Sequence, residues 1–562
     1  MSNFRNKVIY QIYPKSFHDS NGDGIGDING ITGKLDYLQQ LGVDYLWLTP
    51  FYLSPQNDNG YDIEDYYAVD PIFGTMEDLE HLIREAGKRN IGIMTDMVLN
   101  HTSTNHKWFQ KALAGDQRYI DYYYFREGSP DAVPTNWESK FGGPAWDYVP
   151  YLKQWYLHLF DRTQADLNWN NPNVREEIKE IIRFWKDKGI KGFRFDVINL
   201  ISKPDRFCDD GEGDGRRFYT DGPHVHDFIR ELVSDTGIGE MITVGEMSST
   251  TIEDCIRYSN PDEKELTMCF NFHHLKIDYK NQEKWELMEP DLEALSGILQ
   301  EWQYGMQKGN GWNAVFWCNH DQPRIVSRLG DDRIYRKESA KMLATLIHML
   351  RGTPYIYQGE ELGMTNAYFE NISEYRDVES LNYYQIMLER GKTPAEALAI
   401  LGERSRDNAR TPLRWTDGTY GGFSSREPWI PFSRQGRRII ARDQLEDKDS
   451  VFHYYRHLIR LRKDKDVISE GKIAFIDQQD PRVIVYRRYL SENSADTRGK
   501  GEIIVVNNLG SMSVTASLGH SGSGDLPRYQ YLIGNYENRS AEDIKGAEIY
   551  LEPYETVVLE VV

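Results

Sequence analysis

Three acidic residues define the chemistry open to this chain. Asp196 closes the run GFRFD, Glu246 closes VGE, and Asp321 closes NHD beside His320. If one fold gathers these run ends, three carboxylates meet, each raising the others' pKa and demanding hydrogen-bonding partners. That is costly for a plain scaffold and useful for glycoside hydrolysis. A retaining reaction needs a nucleophile and an acid/base about 5–5.5 Å apart, and a further anion supports oxocarbenium-like charge. Singly, each acid would read as a cap, a salt bridge or a surface group; their shared position reverses that reading. Arg194, two residues before Asp196, falls on the same strand face and can keep it ionised. His101, ending the run DMVLNH, and His320 can donate to sugar oxygens without a fixed charge, or serve as buried hydrogen-bonding residues. Tyr61 can lay its ring under the apolar face of a sugar. Metal-assisted hydrolysis is the chemical rival, but the sequence has no HExxH or compact His cluster. It also lacks a GxGxxG fingerprint opening the first βαβ unit and a P-loop, so no organic cofactor is expected.

A second cluster is DSNGDGIGD. Asp19, Asn21, Asp23 and Asp27 alternate, Gly24 supplies a sharp turn, and the Ile25 carbonyl stands where a calcium loop uses backbone oxygen. The twelfth position is Gly30 rather than Glu, so the EF-hand pattern is incomplete. A structural Ca²⁺ or Mg²⁺ is expected, with metal-free Asx-turns as the alternative.

The elements that must position these residues alternate in type. KVIYQIYP, VDYLWLTP, IGIMTDMVLN, IKGFRFDVI, MITVGEM, NAVFWCNHD and TPYIYQGEE read as strands; TMEDLEHLIREAGKRN, with Thr75 as N-cap, and NVREEIKEIIRFWKDKG read as helices. This βα repetition reaches about eight strands and predicts an α/β fold, a (β/α)8 TIM barrel over 1–100 and 174–479, with the acids at its C-terminal face. A doubly wound open sheet would explain fewer of these endings. Residues 101–173 are too long for an ordinary connection and predict a subdomain inserted after strand 3. Alternating runs from RVIVYRRYL onward predict an antiparallel β-domain over 480–562. The aperiodic stretch GERSRDNARTPLRWTDGTYGGFSSREPWI reads as a folded loop near the cleft.

The separated motifs DMVLNH, QADLNW, GFRFDVI, VGE and FWCNHD resemble those of the α-amylase superfamily of glycoside hydrolases, in its oligo-1,6-glucosidase branch, over nearly all of the chain. The resemblance implies Asp196 as nucleophile, Glu246 as acid/base and Asp321 as the carboxylate that orients sugar hydroxyls. It places His101, Arg194 and His320 in the sugar subsite, and makes Asp62 and Arg410 the pair closing the pocket for the non-reducing glucose. Val197 matches the residue type associated with α-1,6 or trehalose-type substrates, and DSNGDGIGD matches the branch's metal loop. The stretches GDGRRFYTDGPHVHDF, VGEMSSTT and FNFHHLKIDY resemble the subgroup acting on α,α-trehalose 6-phosphate, with oligo-1,6-glucosidase or a related α-glucosidase as the other reading. Arg216, Arg217, Lys276 and Lys284 are then phosphate candidates, or ordinary surface charges. RTPLRWT departs from the branch's RTPMQWD at Arg414 and Thr416, which bears on fine specificity. A noncatalytic carbohydrate-binding role would predict a broken acidic trio or a membrane anchor; neither is seen.

Composition narrows the partners. Across 562 residues, 66 Lys and Arg stand against 87 Asp and Glu, a net charge of -21, which disfavours a nucleic-acid surface. A small basic pocket stays compatible with that balance. The 4 cysteines have neither disulfide-scaffold density nor CxxC spacing. With no secretory h-region or long apolar run, a cytoplasmic protein with no membrane contact and no obligate protein partner is expected. The 13 Trp, 36 Tyr and 22 Phe can be shared between core and a sugar cleft.

Overall fold

The computed structural model describes residues 4–490, 501–519, 527–537 and 539–562. Eight parallel strands form its centre: β1 (Ile9–Ile12), β2 (Tyr45–Leu48), β3 (Gly92–Val98), β4 (Gly192–Asp196), β5 (Ile242–Glu246), β6 (Met268–Phe270), β7 (Ala314–Val315) and β8 (Thr353–Tyr357). They pair in the order β6-β5-β4-β3-β2-β1-β8-β7. A parallel bridge between Cys269 and Asn313 closes β6 onto β7, giving the expected barrel. Every residue of β1, β4 and β8 is buried, as expected where helices cover a parallel sheet outside and side chains fill it inside.

The helices follow from capping and periodicity. α1 (Met76–Lys88) starts at Thr75, whose hydroxyl accepts from the Asp78 N–H while the Asp78 carboxylate accepts from the Thr75 N–H. α2 (Pro172–Asp187) has Asn171 as cap and proline at its start, and buries Val174, Ile178, Ile181, Ile182 and Trp185 on one face.

After β3 the chain leaves the barrel. His101–Ser103 pairs antiparallel with Gln164–Asp166, tying the exit of the insertion to its return. Between them, Phe125–Glu127, Gln154–Leu157 and Trp146–Val149 form a three-stranded sheet. Trp137, Trp146 and Trp155 pack with Val197, Leu200 and Tyr219, which seats the insertion on the chain following β4.

At the C-terminal end β9 (Lys472–Ile476), β10 (Val483–Tyr489), β11 (Glu502–Asn508), β12 (Tyr529–Gly534) and β13 (Thr556–Val561) form an antiparallel sheet in the order β9-β10-β11-β13-β12. It begins at Lys472, ahead of the expected boundary at 480. Ile484, Tyr486, Ile503, Val505 and Val558 join the barrel's core. Val483, Val485, Ile504, Val506 and Val557 fill a second core on the other face. Burial on both faces makes these strands almost continuously apolar. Among the described residues no helix is long and apolar enough to cross a membrane.

Candidate active site

β4 points Arg194 and Asp196 to the same side, and Arg194 is only 1% exposed. Its Nη1 donates to Asp196 Oδ1 and to Asp96 Oδ1, each at 2.7 Å. Its Nη2 contacts the Glu246 carboxylate. One guanidinium thus ties together β3, β4 and β5. Tyr61 Oη and Trp47 Nε1 donate to the other Asp96 oxygen at 2.9 and 3.0 Å, fixing the carboxylate that holds Arg194 from behind. Burial raises the carboxyls of Asp96 and Asp196, and Arg194 draws both back toward the ionised form.

Asp321 stands past the end of β7. Arg410 Nη2 donates to its Oδ1 at 2.9 Å, Arg406 Nη1 reaches it at 3.3 Å, and His320 Nε2 lies 3.1 Å from Oδ2. Burial works to raise Asp321, but His320, Arg406 and Arg410 outweigh it and hold the carboxyl well below its ordinary value. Burial lowers the His320 pKa, favouring the neutral ring. The Tyr61 ring is parallel to that of His320 within 1° at 5.0 Å, making the flat wall expected of a sugar site. His101 is buried beside it, with Nε2 3.1 Å from the Tyr61 carbonyl and 3.2 Å from Gln164 Nε2. Val197 adopts φ 35°, ψ 41°. For a β-branched residue this left-handed conformation costs about 1–3 kcal/mol, and it turns the chain sharply after Asp196.

The expected closing pair of Asp62 and Arg410 is corrected by the geometry. Asp62 is fully buried and accepts from Ser54 Oγ (3.0 Å) and the N–H groups of Asn57 (2.9 Å) and Asp58 (3.1 Å). Its oxygens are used to close its own loop. Asp58 lines the cleft instead, 3.0 Å from Arg406 Nη2, with Gln164 Nε2 donating to its other oxygen at 3.0 Å. Arg410 lies one layer back, donating to Asp321 and to the His320 carbonyl. Four-residue spacing puts Arg406 and Arg410 on one side of a short helical turn. RDNAR contains both, but nothing in it ranks which reaches the cavity. Asp377 anchors the pair, 2.5 Å from Arg406 Nη2 and 3.5 Å from Arg410 Nη1.

Phe141, Phe160 and Phe272, none singled out by motif, supply further apolar wall. Of the phosphate candidates, Lys276 and Lys284 line the cleft. Lys284 is held by Glu379 at 2.6 Å; Lys276 is exposed and has no ion pair among the described residues. Arg216 and Arg217 do not line it. Each is 49% exposed and bound to local acids, Arg216 to Asp214 at 2.8 Å and Arg217 to Asp210 and Glu212 at 2.8 Å. Lys140, from the insertion, lines the cleft and donates to Ser248 Oγ at 3.1 Å.

The loop at 19–27 turns through Gly22 and Gly24, at φ 80° and 97°, where L side chains are strained. Asp19 accepts from the N–H groups of Gly22 (2.7 Å) and Gly24 (2.8 Å) and from Ser424 Oγ (2.6 Å). Asp27 caps the following turn through Gly30 N–H at 2.6 Å. The aperiodic stretch near 410–429 grips this loop, Asp19 N–H donating to the Phe423 carbonyl at 2.9 Å and Trp429 N–H to that of Gly24 at 2.9 Å.

A (β/α)8 barrel with clustered carboxylates at the ends of β4 and β5 and beyond β7 defines a barrel glycosidase class. The chain belongs to the alpha-amylase family, whose catalytic-domain model matches residues 11–471. It is 52% identical over 558 residues to trehalose-6-phosphate hydrolase of Bacillus subtilis, covering 99% of this chain and 97% of that protein. It is 45% identical to an oligo-1,6-glucosidase of Parageobacillus thermoglucosidasius, with 99% of each covered. The crystal structure of Bacillus licheniformis trehalose-6-phosphate hydrolase superposes with a TM-score of 0.92 at 52% identity, over 100% of this chain and 99% of that one.

Proposed function

We propose that this protein hydrolyses α,α-trehalose 6-phosphate to glucose and glucose 6-phosphate with retention of configuration. Asp196 attacks the anomeric carbon as Glu246 protonates the glycosidic oxygen, releasing glucose 6-phosphate and leaving a glucosyl ester on Asp196. Glu246 then takes a proton from water, which opens the ester and frees α-glucose. Sharing of Arg194 by both carboxylates supports the short separation that retention needs. Asp321, held anionic by two arginines, orients hydroxyls and supports positive charge on the ring.

One observation carries the substrate assignment: the cleft is unusually rich in lysine. Besides the Asp58–Arg406 pair, Lys140, Lys276 and Lys284 line it, and Lys276 has no ion pair among the described residues, in a protein of net charge -21. A charged leaving sugar suits such a cleft. Initial rates on trehalose 6-phosphate, trehalose and isomaltose, with product anomers followed by NMR, test this. Preference for isomaltose would move the enzyme to the oligo-1,6-glucosidases, and initial β-glucose would refute retention. A sugar-phosphate substrate agrees with a cytoplasmic location.

The loop at 19–27 is proposed to hold Ca²⁺ or Mg²⁺ through Asp19, Asn21, Asp23, the Ile25 carbonyl and Asp27. Among the described residues no three acidic, His or Cys side chains gather closely enough to hold an ion by themselves, so the amide and carbonyl oxygens would complete the set. Chelation should lower Tm, with Ca²⁺ restoring it; an unchanged Tm and no calorimetric binding would reject the site.

A further inference from the structure

We propose that Lys140, carried by the insertion after β3, is a specificity-determining contact for the phosphate of the leaving sugar. This rests on the phosphorylated-substrate reading above and assigns that recognition to a residue outside the barrel. Three observations lead to it. Lys140 lines the same cleft as Asp196 and Glu246. Its Nζ donates to Ser248 Oγ at 3.1 Å, and among the described residues it has no carboxylate partner. Ser248 follows Glu246 by two residues, so Lys140 stands on the side of the acid/base, where the leaving group must lie. An ammonium that makes no ion pair in so acidic a protein is free to take a dianion as its partner.

The surroundings strengthen this. Lys140 Nζ lies against Ser248 beyond β5 and the Tyr219 ring (5.7 Å to the centroid), and the charges of Arg216, Asp214, Lys276 beyond β6 and Lys203 beyond β4 act on it. Burial, with Arg216, Lys276 and Lys203, lowers its pKa to about 7 despite the opposing charge of Asp214. The ammonium is therefore charged below that value and neutral above it. A bound phosphate dianion favours the charged form, so binding near neutrality draws in a proton. The second phosphate ionisation, near pH 6, is complete above neutrality. A loss of affinity as pH rises further then belongs to the protein.

Lys140→Met and Lys140→Arg test the proposal in the full-length enzyme on trehalose 6-phosphate and 4-nitrophenyl α-glucoside. The Met variant should raise KM for the phosphorylated substrate about 10- to 100-fold, the range of one charge-assisted hydrogen bond. Its kcat/KM on the nitrophenyl glucoside should stay within about twofold. In the wild type, KM for trehalose 6-phosphate should rise as pH climbs through about 7, whereas Lys140→Arg, which stays charged, should show no such rise. Equal losses on both substrates, or an unchanged KM for the phosphorylated one, overturn the assignment. A wild type indifferent to phosphate overturns the substrate reading and this inference together; a selective wild type with a selective Met variant overturns the lysine alone.

Discussion

Asp58 and Asp62 are alike in type, nearly adjacent in sequence and opposite in task. Asp62 spends its carboxylate on Ser54 and two backbone N–H groups, and Asp58 spends its own on Arg406 and Gln164 at the cleft. Asp58→Ala should therefore raise KM with little change in Tm. Asp62→Ala should cost about 1–3 kcal/mol of stability by stranding buried donors, measured by denaturant unfolding. Glu246→Gln should reduce kcat about 10²–10⁴-fold with the fold retained, checked by steady-state rates beside circular dichroism. Arg194 and Asp196 were legible as one strand face, because alternation dictates which residues share a side, and Glu246 and Asp321 as the polar ends of apolar runs. The closing pair was not, because a loop residue's direction depends on which backbone donors surround it.

At the scale of elements, the strands that hold the acids were visible as apolar runs with polar ends, and Thr75 announced α1. β6 spans three residues, Met268–Phe270, and β7 only two, Ala314–Val315. The β6 ladder leaves too few positions for a period to register, the run NAVFWCNHD holds only the short β7, and barrel closure depends on the bridge at Cys269, which only neighbouring strands create. Just beyond β8, Glu360 accepts from the Tyr357 N–H at 2.6 Å, and burial pushes its carboxyl up to about 8. The folded protein then holds a proton that the unfolded chain loses near the ordinary value of about 4.3. Stability from this group is fully present below the unfolded value and falls as pH rises toward about 8. Glu360→Gln keeps the acceptor and removes the titration, so its Tm should decline less across that window; an identical pH profile would contradict the assignment.

Over the whole molecule, the C-terminal sheet is joined to the barrel through buried polar contacts as well as apolar ones. Arg488, fully buried, donates to the carbonyls of Met349 (2.7 Å), Leu350 (3.0 Å) and Gly471 (2.7 Å). Arg488→Leu should destabilise by about 3–5 kcal/mol, since those acceptors lose their buried charged partner, lowering the unfolding midpoint while the intrinsic chemistry of the folded enzyme persists. The net charge of -21 says nothing about where its exceptions lie. The insertion after β3 brings Lys140 over the Glu246 side of the cleft, and a contact with Ser248 a hundred residues away along the chain decides that position. The sequence by itself determined the βα repetition, the acidic run endings and the existence of an insertion, because strand periodicity and run endings are local properties of the backbone. Only the tertiary structure decided that Asp58 and Arg406 close the pocket, that Arg216 and Arg217 stay with local acids, and that Lys140 reaches the cleft. Those outcomes depend on competition among partners distant in sequence, and packing selects the winner.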